Sequence, residues 1–554
     1  MHRILFALLL GTFALAATAQ PKWAKKARKA QLNLITYDAS GQLLHSTNGF
    51  FIDEAGTALS DYASFKGAAR AVAIDEKGNE YPVETIVGAS SLYDVIKLHI
   101  GGIKSTPVTL AKAPCAKDAS AYILAYLSSK NGVGVATTIS DVSTFYEKYA
   151  YYTLPVRATE KNISCPVANE EGEVFGLLQL SAKADEEKCF VMSIDFAKSL
   201  EVTALSANVP DYRDVLIRKQ LPAEASQANS FIYLIGTRDT ALYLAYVDDF
   251  IRLFPSEVNG YTMRAEMLTA QGRFAEADET WATGLKACAE KDEILYSRAR
   301  SIFGAATRPK ATLPDSWTLD AALQQAQEAF SVKENPVYTS LQGHILYAKK
   351  DYPAAFQKFL DVNKTTMRSA DHFLYAAQCQ QLIGDTAAVL AMQDSAVACF
   401  TKPYTEEAAP SLLMRAQTLL SMGKYRLAVQ DLNDYEHLKI NEVNVNFYYQ
   451  RYQAEMRCRM FQQALNDIER VTRMEPNEPV FFAELAATHY RFNQLDEAIL
   501  AAQKAIALDD SFADAHRILG VCLRASGQEA EAKKALQRAA DLGDETAKGL
   551  INKQ

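Results

Sequence analysis

The chain has 554 residues, of which 49% are hydrophobic and 22% charged, and a formal net charge of −8. This length predicts several domains, and the composition is typical of globular proteins. The acidic balance argues against a nucleic-acid-binding protein, which needs a basic face. The eight cysteines show no C-x-x-C spacing, the histidines do not cluster and no glycine-rich phosphate loop occurs, so we expect neither a metal site nor a cofactor.

Residues 1–19 have the three parts of a secretory signal peptide. A short basic start precedes an apolar run over residues 4–10, and Ala17-Thr18-Ala19 fits an A-x-A cleavage site. We therefore expect cleavage after Ala19 and a periplasmic or secreted product. No later run reaches the roughly 18 uninterrupted apolar residues of a membrane helix, so stable membrane insertion is not expected.

Short runs of alternating apolar and polar residues, separated by turns, follow from Ala30 to about residue 207. Alternation with a period of two is typical of half-buried β-strands. The predicted strands are 31–37, 71–74, 95–100, 121–126, 151–156, 174–180 and 189–192. A helix is predicted over 193–207. These elements form a predicted β domain of residues 30–207, and residues 208–228 are predicted to be a helical bridge.

Three segments of the β domain fit one known pattern. Residues 48–68 fit the run G-x-G-F-h-h-x-x-x-G-x-h-L-T-N-x-H-V-h-x-G-A, where h is hydrophobic, with Ala63 at the histidine. Residues 93–98 fit D-h-A-h-L-K and keep its acid as Asp94. Residues 161–176 fit G-N-S-G-G-P-L-h-N-x-x-G-x-V-V-G, with Ile163 at the serine. Together they resemble the trypsin-like peptidases of the bacterial high-temperature-requirement and related families, which implies two six-stranded β-barrels.

In that resemblance the catalytic triad is degenerate. Acyl transfer needs a nucleophile, a base and an acid that orients the base. Ala63 cannot accept a proton, Ile163 has no nucleophilic atom, and Ser164 and Cys165 replace the glycines of the oxyanion hole. We therefore predict a pseudoprotease without enzymatic activity. The alternative is an active serine endopeptidase whose triad is misaligned here.

Cys165 raises the further question of a thiol protease. It lies two residues past the nucleophile position, and no histidine occurs between His99 and His344. A reactive thiolate needs a nearby base or positive field. The pattern therefore favours a structural cysteine, and Cys165 with Cys189 is the candidate disulfide.

After the bridge the hydrophobic period changes to that of helical hairpins. Small or apolar residues recur at intervals close to the ~34-residue period of tetratricopeptide repeats, which the segment 229–554 resembles over about eight units. The recurring positions are Ala277, Ala322, Ala355, Val389, Ala428, Ala464, Ala498 and Ala532. The first helices have matching small residues at Ala265, Gly343, Ala377, Ala416, Ala486 and Gly520. Extra residues around 305–317 are predicted to be a loop.

The tetratricopeptide resemblance implies a concave groove lined by fixed positions of each first helix. The groove candidates are His344, Tyr347, Gln378, Tyr449, Gln453, Arg457, Tyr490, Arg491, Arg517 and Arg524. Arginines and tyrosines on one face suit a carboxylate-bearing or extended peptide. The alternative is that these arginines pair with neighbouring acids or stay hydrated.

The two halves together predict an exported, non-catalytic scaffold or adaptor whose partner is a protein or peptide. Besides the active peptidase, a periplasmic holdase chaperone remains an alternative. The sequence leaves the identity of the partner and the oligomeric state open.

Overall fold

A computed structural model describes residues 23–125, 135–181, 186–309 and 312–551. The predicted signal peptide lies outside the described residues. The chain divides into two compact units, Met1–Ala289 and Glu290–Gln554. No helix among the described residues is long and apolar enough to cross a membrane.

The first unit begins with a short helix and a closed antiparallel barrel. These elements are α1 (Ala24–Lys29), β1 (Gln31–Tyr37), β2 (Leu43–Phe51), β3 (Thr57–Ser60), β4 (Arg70–Ile74), β5 (Glu80–Ser90) and β6 (Val95–Ile100). Around the barrel the strands follow the order β1-β2-β3-β6-β5-β4. Alternate residues such as Leu32 and Leu34 point into its core and are fully buried, which confirms the predicted period of two and the first six-stranded barrel.

Hydrogen bonds from backbone N–H groups to an aspartate side chain stabilise two of the turns between barrel strands. Between β1 and β2, Asp38 Oδ1 accepts the N–H groups of Ser40 at 2.8 Å and Gln42 at 2.9 Å. Gly41 of this turn has a φ of 83°, a left-handed conformation that costs a glycine little. The turn between β4 and β5 repeats this arrangement around Asp75. These turns connect hydrogen-bonded neighbours of the barrel, and β3 is paired with β6.

A second sheet completes the β region. Its strands are β7 (Thr109–Leu110), β8 (Ser120–Ile123), β9 (Ala136–Thr138), β10 (Asp141–Phe145), β11 (Tyr149–Leu154), β12 (Pro166–Ala168), β13 (Glu173–Gln179) and β14 (Cys189–Ser193). They form an eight-stranded sheet in the order β10-β11-β14-β13-β12-β8-β9, with β7 added beside β13. The expected second six-stranded barrel is therefore wrong in detail, because the edge strands β10 and β9 do not pair among the described residues.

The candidate disulfide between Cys165 and Cys189 is not present, since Cys189 is a free thiol. Both cysteines are buried in one apolar cluster of the second sheet. Cys165 accepts a backbone hydrogen bond from Leu178 of β13, and β14 with Cys189 lies on the other side of β13. Two strand spacings of about 4.8 Å exceed the roughly 7 Å between Cα atoms that a disulfide can span.

The barrel core continues into helices that follow it. These are α2 (Ile194–Ser199), α3 (Pro210–Arg213), α4 (Ala225–Ile235), α5 (Thr240–Leu253), α6 (Val258–Ala270) and α7 (Phe274–Ala287). Phe231 of α4 and Phe250 of α5 belong to the same apolar cluster as Ile86 and Leu98 of the barrel. The first helical hairpin therefore packs as part of the first unit, and the chain divides after Ala289 rather than at the predicted bridge.

Two helix predictions in this region need correction. The helix expected over 193–207 is interrupted, because α2 ends at Ser199 and a 3₁₀ turn forms separately over Ala204–Ala207. In the predicted helical bridge, α3 is four residues long and irregular chain follows it to residue 224. Part of that chain bonds back to the barrel, where the N–H of Ile86 donates to the carbonyl of Arg218.

The second unit is all-helical and built from hairpins. Its helices are α8 (Lys291–Ala306), α9 (Leu319–Val332), α10 (Pro336–Ala348), α11 (Tyr352–Asn363), α12 (Ala370–Ile383), α13 (Thr386–Val397), α14 (Ala409–Ser421), α15 (Tyr425–Lys439), α16 (Val445–Arg457), α17 (Phe461–Met474), α18 (Pro479–Arg491), α19 (Leu495–Leu508), α20 (Ala513–Ala525), α21 (Glu529–Asp541) and α22 (Glu545–Ile551). The extra residues between α8 and α9 form the predicted connection, of which 310–311 lie outside the described residues.

The recurring small residues explain how closely these helices pack. All eight predicted positions, from Ala277 to Ala532, are buried. A Cβ atom added at Gly343 would lie 2.9 Å from the Phe359 ring, and one at Gly520 would lie 2.6 Å from Leu536. The predicted order of fold classes is confirmed: an all-β region with a closed six-stranded barrel is followed in the chain by helices arranged as hairpins.

Candidate functional site

The three positions that the resemblance assigned to a triad are placed by three separate elements. Ala63 begins a 3₁₀ turn after β3, Asp94 lies in the turn between β5 and β6, and Ile163 precedes β12. The Ala63 N–H donates to Asp94 Oδ1 at 2.8 Å. Burial raises the pKa of Asp94, while the hydrogen bond from Ala63 opposes that rise. Asp94 thus lies where it could orient a side chain at residue 63, but alanine offers none.

A second carboxylate, Asp61, is the centre of a buried polar cluster beside Ala63. Asp61 is only 2% exposed. It accepts the Ser164 hydroxyl at 2.7 Å, the Ser64 N–H at 2.9 Å and the Thr47 hydroxyl. A buried carboxylate is costly unless such donors satisfy it. We call these four residues the Asp61 cluster.

Ser164, the serine nearest to the nucleophile position, is hydrogen-bonded inside the protein through both its hydroxyl and its N–H. Ser164 is fully buried, and its N–H donates to the Leu178 carbonyl at 3.0 Å. Its φ of 60° holds the hydroxyl in this arrangement. Neither the hydroxyl nor the N–H of Ser164 is therefore available to a substrate.

Asn48 fixes the rest of this segment against the barrel. Its Nδ2 donates to the carbonyls of Ile163 at 2.8 Å and Lys161 at 3.1 Å. The Cys165 N–H donates to the Asn162 carbonyl. The N–H groups of residues 164 and 165 thus both donate to protein carbonyls.

In the described part of the first unit, no histidine is hydrogen-bonded to these groups. His99 lies 3.7 Å from Glu84, and His45 lies on β2 with backbone bonds to Thr36. Cys165 is fully buried. A thiol in that position is structural, as the sequence favoured.

Aromatic side chains cluster around Tyr93, the residue before Asp94. The Tyr93 ring lies 4.7 Å from Phe145 and 4.9 Å from Phe196, between ring centroids. Tyr146, in the β10–β11 turn, also contacts Tyr93 and is 65% exposed. The turn that carries Asp94 is therefore anchored by an aromatic cluster at its neighbouring residue.

The second unit contains an open cavity of about 680 Å³. Three first helices, α14, α16 and α18, contribute to it. Its polar lining includes Gln417, Tyr425, Gln450, Gln453, Arg457 and Glu484. A cavity of this size is in the range of ligand-binding clefts, which are about 300–1,000 Å³.

Two of the ten predicted groove residues, Gln453 and Arg457, line this cavity. Tyr449 lies one turn earlier in α16, with its ring stacked 5.9 Å from Tyr452. Arg457 is exposed at the end of α16. Among the residues that the structure describes, its guanidinium forms no ion pair.

Three other candidates lie on α10 and α12, apart from the cavity lining. His344 of α10 packs edge-on against Phe359 at 5.1 Å and Tyr375 at 4.6 Å, and burial lowers its pKa. Tyr347 joins the same aromatic group. Gln378 of α12 is half-buried.

The candidates at the end of α18 are exposed to solvent. Tyr490 is exposed, and the Arg491 guanidinium lies 5.6 Å from the centre of the Phe461 ring. Neither side chain is part of the cavity lining.

The two candidates of α20 pair with acids and backbone of their own unit. Arg517 bonds Asp544 at 2.7 Å and Asp514 at 2.5 Å. Arg524 bonds Glu529 at 3.1 Å and the Leu550 carbonyl at 2.8 Å. The structure therefore does not bring the four predicted arginines into one binding site.

Glu484, which the sequence reasoning missed, supplies the negative charge of the cavity. The Tyr452 hydroxyl donates to Glu484 Oε2 at 2.8 Å and also contacts Thr488 at 3.2 Å. Tyr452 occupies the position where most first helices have a small residue. That departure from the repeat was a signal, since a large side chain there must reach the next hairpin.

Behind the cavity, the opposite face of α16 carries a buried charge network. Arg451 bonds Asp467 through two nitrogens at 2.7 and 2.9 Å, and Glu436 at 2.6 Å. Glu455 is 2% exposed, and its Oε2 has no partner among the described residues. Burial and the nearby Asp467 raise the pKa of Glu455 to about 8. The carboxyl is therefore largely protonated at neutral pH.

Comparison with known proteins adds little. No family model matches the chain, and no curated protein does. Among solved structures, the chain is similar to the active form of the Rv3671c protease from M. tuberculosis, with 17% identity and a TM-score of 0.28. The match covers 32% of this chain and 82% of that one. At so low a TM-score we conclude nothing further from the likeness.

Proposed function

We propose that this chain is an exported, non-catalytic interaction protein. Its β region is a trypsin-like domain with a degenerate triad, and its hairpins form a tetratricopeptide-type array that binds a protein or peptide segment. The observation that carries the proposal is the arrangement around Asp94. Its neighbour at the base position is Ala63, and the nearest hydroxyl, that of Ser164, is buried and bonded to Asp61.

The cavity of α14, α16 and α18 supports the binding half of the proposal. It is open, about 680 Å³ in volume and lined by amide and charged groups, and such groups fix a peptide backbone and its side chains. A partner in envelope protein assembly or quality control fits the expected signal peptide.

The test uses purified protein of residues 20–554. With fluorescein-labelled casein and trypsin as the positive control, we expect no hydrolysis above the blank. The same protein, immobilised, should retain a partner from its own envelope fraction, and Arg457→Gln should reduce that capture. Casein hydrolysis that Ser164→Ala abolishes would establish the alternative of an active serine peptidase.

The holdase alternative makes a different prediction. A holdase would suppress aggregation of many unfolded proteins regardless of their sequence, whereas an adaptor retains few partners. Light scattering of heat-denatured citrate synthase with and without the chain separates the two. Strong suppression at equimolar ratio would favour the holdase.

A further inference from the structure

We infer that the cavity of α14, α16 and α18 selects an extended peptide segment that carries one acidic and one basic side chain. This inference rests on the proposed function, because it names the partner chemistry of the same site. The observation behind it is that Arg457 and Glu484 share the cavity. Among the described residues, neither forms an ion pair.

Most neighbouring arginines in the second unit are neutralised by acids. Arg415 bonds both oxygens of Asp431, at 2.7 and 2.8 Å. Arg451 does the same with Asp467. Arg457 differs from these, because it lines an open cavity and forms no ion pair among the described residues.

Glu484 is held in place for binding. Its Oε2 accepts the Tyr452 hydroxyl at 2.8 Å, and Tyr452 is itself buried. A charged group fixed by buried neighbours loses little conformational entropy when a partner binds. The carboxylate thus presents a fixed negative charge to a basic side chain of the ligand.

Amide groups supply the remaining contacts. Gln417, Gln450 and Gln453 line the cavity together with the two charges. Each amide offers two N–H donors and a carbonyl acceptor, which match the alternating groups of an extended peptide backbone. Leu420 and Met456 add apolar lining. The side-chain charges then decide which segment binds.

The two opposite charges imply discrimination by repulsion as well as attraction. A peptide with only acidic side chains would gain Arg457 but be repelled by Glu484, and one with only basic side chains would meet the reverse. Like-charge contacts are an efficient way to exclude wrong partners. One order of acid and base along the peptide should also be preferred, because Arg457 and Glu484 lie on different helices.

The experiment measures fluorescence anisotropy of fluorescein-labelled dodecapeptides with a serine–alanine background. One set carries a single aspartate and a single lysine, in both orders and with spacers of one to five residues. The other sets carry two aspartates, two lysines or no charge. We expect the best mixed-charge peptide to bind about tenfold or more tighter than the others.

Variants of the full chain then test the assignment. Arg457→Gln and Glu484→Gln should each lose the preference for mixed charge, and the glutamine at 484 still accepts the Tyr452 hydroxyl. Combined Arg457→Glu and Glu484→Arg should reverse the preferred order. Two controls, Arg473→Gln on the exposed side of α17 and Arg524→Gln, should bind as the unaltered chain does.

The outcomes distinguish a failure of the mixed-charge inference from a failure of the proposed function on which it rests. Equal binding of charged and uncharged peptides would overturn the inference and leave peptide binding intact. A preference that survives both single substitutions would overturn the choice of residues. If no peptide binds and the chain also retains no partner from its envelope fraction, the proposed function fails together with the inference.

Discussion

The charged groups of the Asp61 cluster and those of the cavity of α14, α16 and α18 have opposite surroundings. Asp61 is buried in protein and receives hydrogen bonds from the hydroxyls of Thr47, Ser60 and Ser164 and from the Ser64 N–H. Arg457 and Glu484 line an open cavity without ion-pair partners among the described residues. A polar group whose bonding is complete inside the protein contributes to stability, whereas one left unpaired toward solvent can bind a ligand. The Asp61 cluster is thus suited to stability and the cavity to recognition.

The largest effect that sharpens this contrast is expected from Asp61→Ala. The substitution leaves the Ser164 and Thr47 hydroxyls and the Ser64 N–H without their acceptor inside the protein. We expect the free energy of unfolding to fall by about 3 kcal/mol, since each buried unsatisfied group costs about 1–3 kcal/mol. Urea denaturation followed by circular dichroism measures it. As a control, Asp38→Ala removes an exposed turn carboxylate and should have a smaller effect. Equal losses of stability would contradict the claim that the buried hydrogen bonds of the Asp61 cluster stabilise the fold.

The next prediction tests how closely the helices of the second unit pack at individual glycines. Gly343→Ala places a Cβ 2.9 Å from the Phe359 ring, and overpacking costs about 1–3 kcal/mol. Gly304→Ala, in α8, meets no atom within 4 Å and should stabilise the helix by about 0.5–1 kcal/mol. Thermal melting should therefore move in opposite directions for the two variants. Parallel shifts would show that hairpin packing is looser than described.

Glu455→Gln tests the one incompletely bonded group behind the cavity. The folded-state pKa of about 8 lies above the ordinary value of 4.5. The folded chain therefore binds a proton more tightly than the unfolded chain does, and Glu455 loses stability as pH rises from about 4.5 to about 8. The variant should be more stable than the unaltered chain by about 1–2 kcal/mol at pH 8. Unfolding curves between pH 5 and pH 9 should show the difference growing to pH 8 and then levelling; a constant difference would contradict the raised pKa.

The smallest effect on stability is expected in the cavity itself. Arg457→Gln should change the free energy of unfolding by less than about 0.5 kcal/mol, as exposed substitutions usually do, while it weakens capture of the partner. Differential scanning calorimetry and the pull-down are read side by side. A loss of stability comparable with that of Asp61→Ala would contradict the contrast between the cavity and the Asp61 cluster, because Arg457 would then have a structural role.

The sequence predicted what depends on short patterns. Alternation predicted the barrel strands, and the small residues from Ala277 to Ala532 predicted the hairpins, because close helix packing requires them. The motifs also identified Ala63, Asp94 and Ile163, of which Ala63 and Asp94 are in contact.

What the sequence could not predict depends on contacts between distant segments. In the sequence Asp61 has the character of a turn residue. Only the fold shows that Ser164, 103 positions later, is hydrogen-bonded to it. Glu484 joins the cavity only because the next hairpin stacks beside α16. No local pattern reveals that Phe231 and Phe250 share one apolar core with the barrel. Arg517 and Arg524 found partners in their own unit that spacing alone did not identify.

Labelling with a fluorophosphonate probe tests the central claim most directly. The reagent reacts with serines that a nearby base activates, and mass spectrometry maps any adduct to its residue. Using the full mature chain with trypsin as the positive control, we predict no adduct, because Ser164 is buried, its hydroxyl is bonded to Asp61, and no histidine is hydrogen-bonded to it among the described residues. An adduct on Ser164 that Asp61→Asn or Asp94→Asn abolishes would contradict the account and identify the chain as an active peptidase.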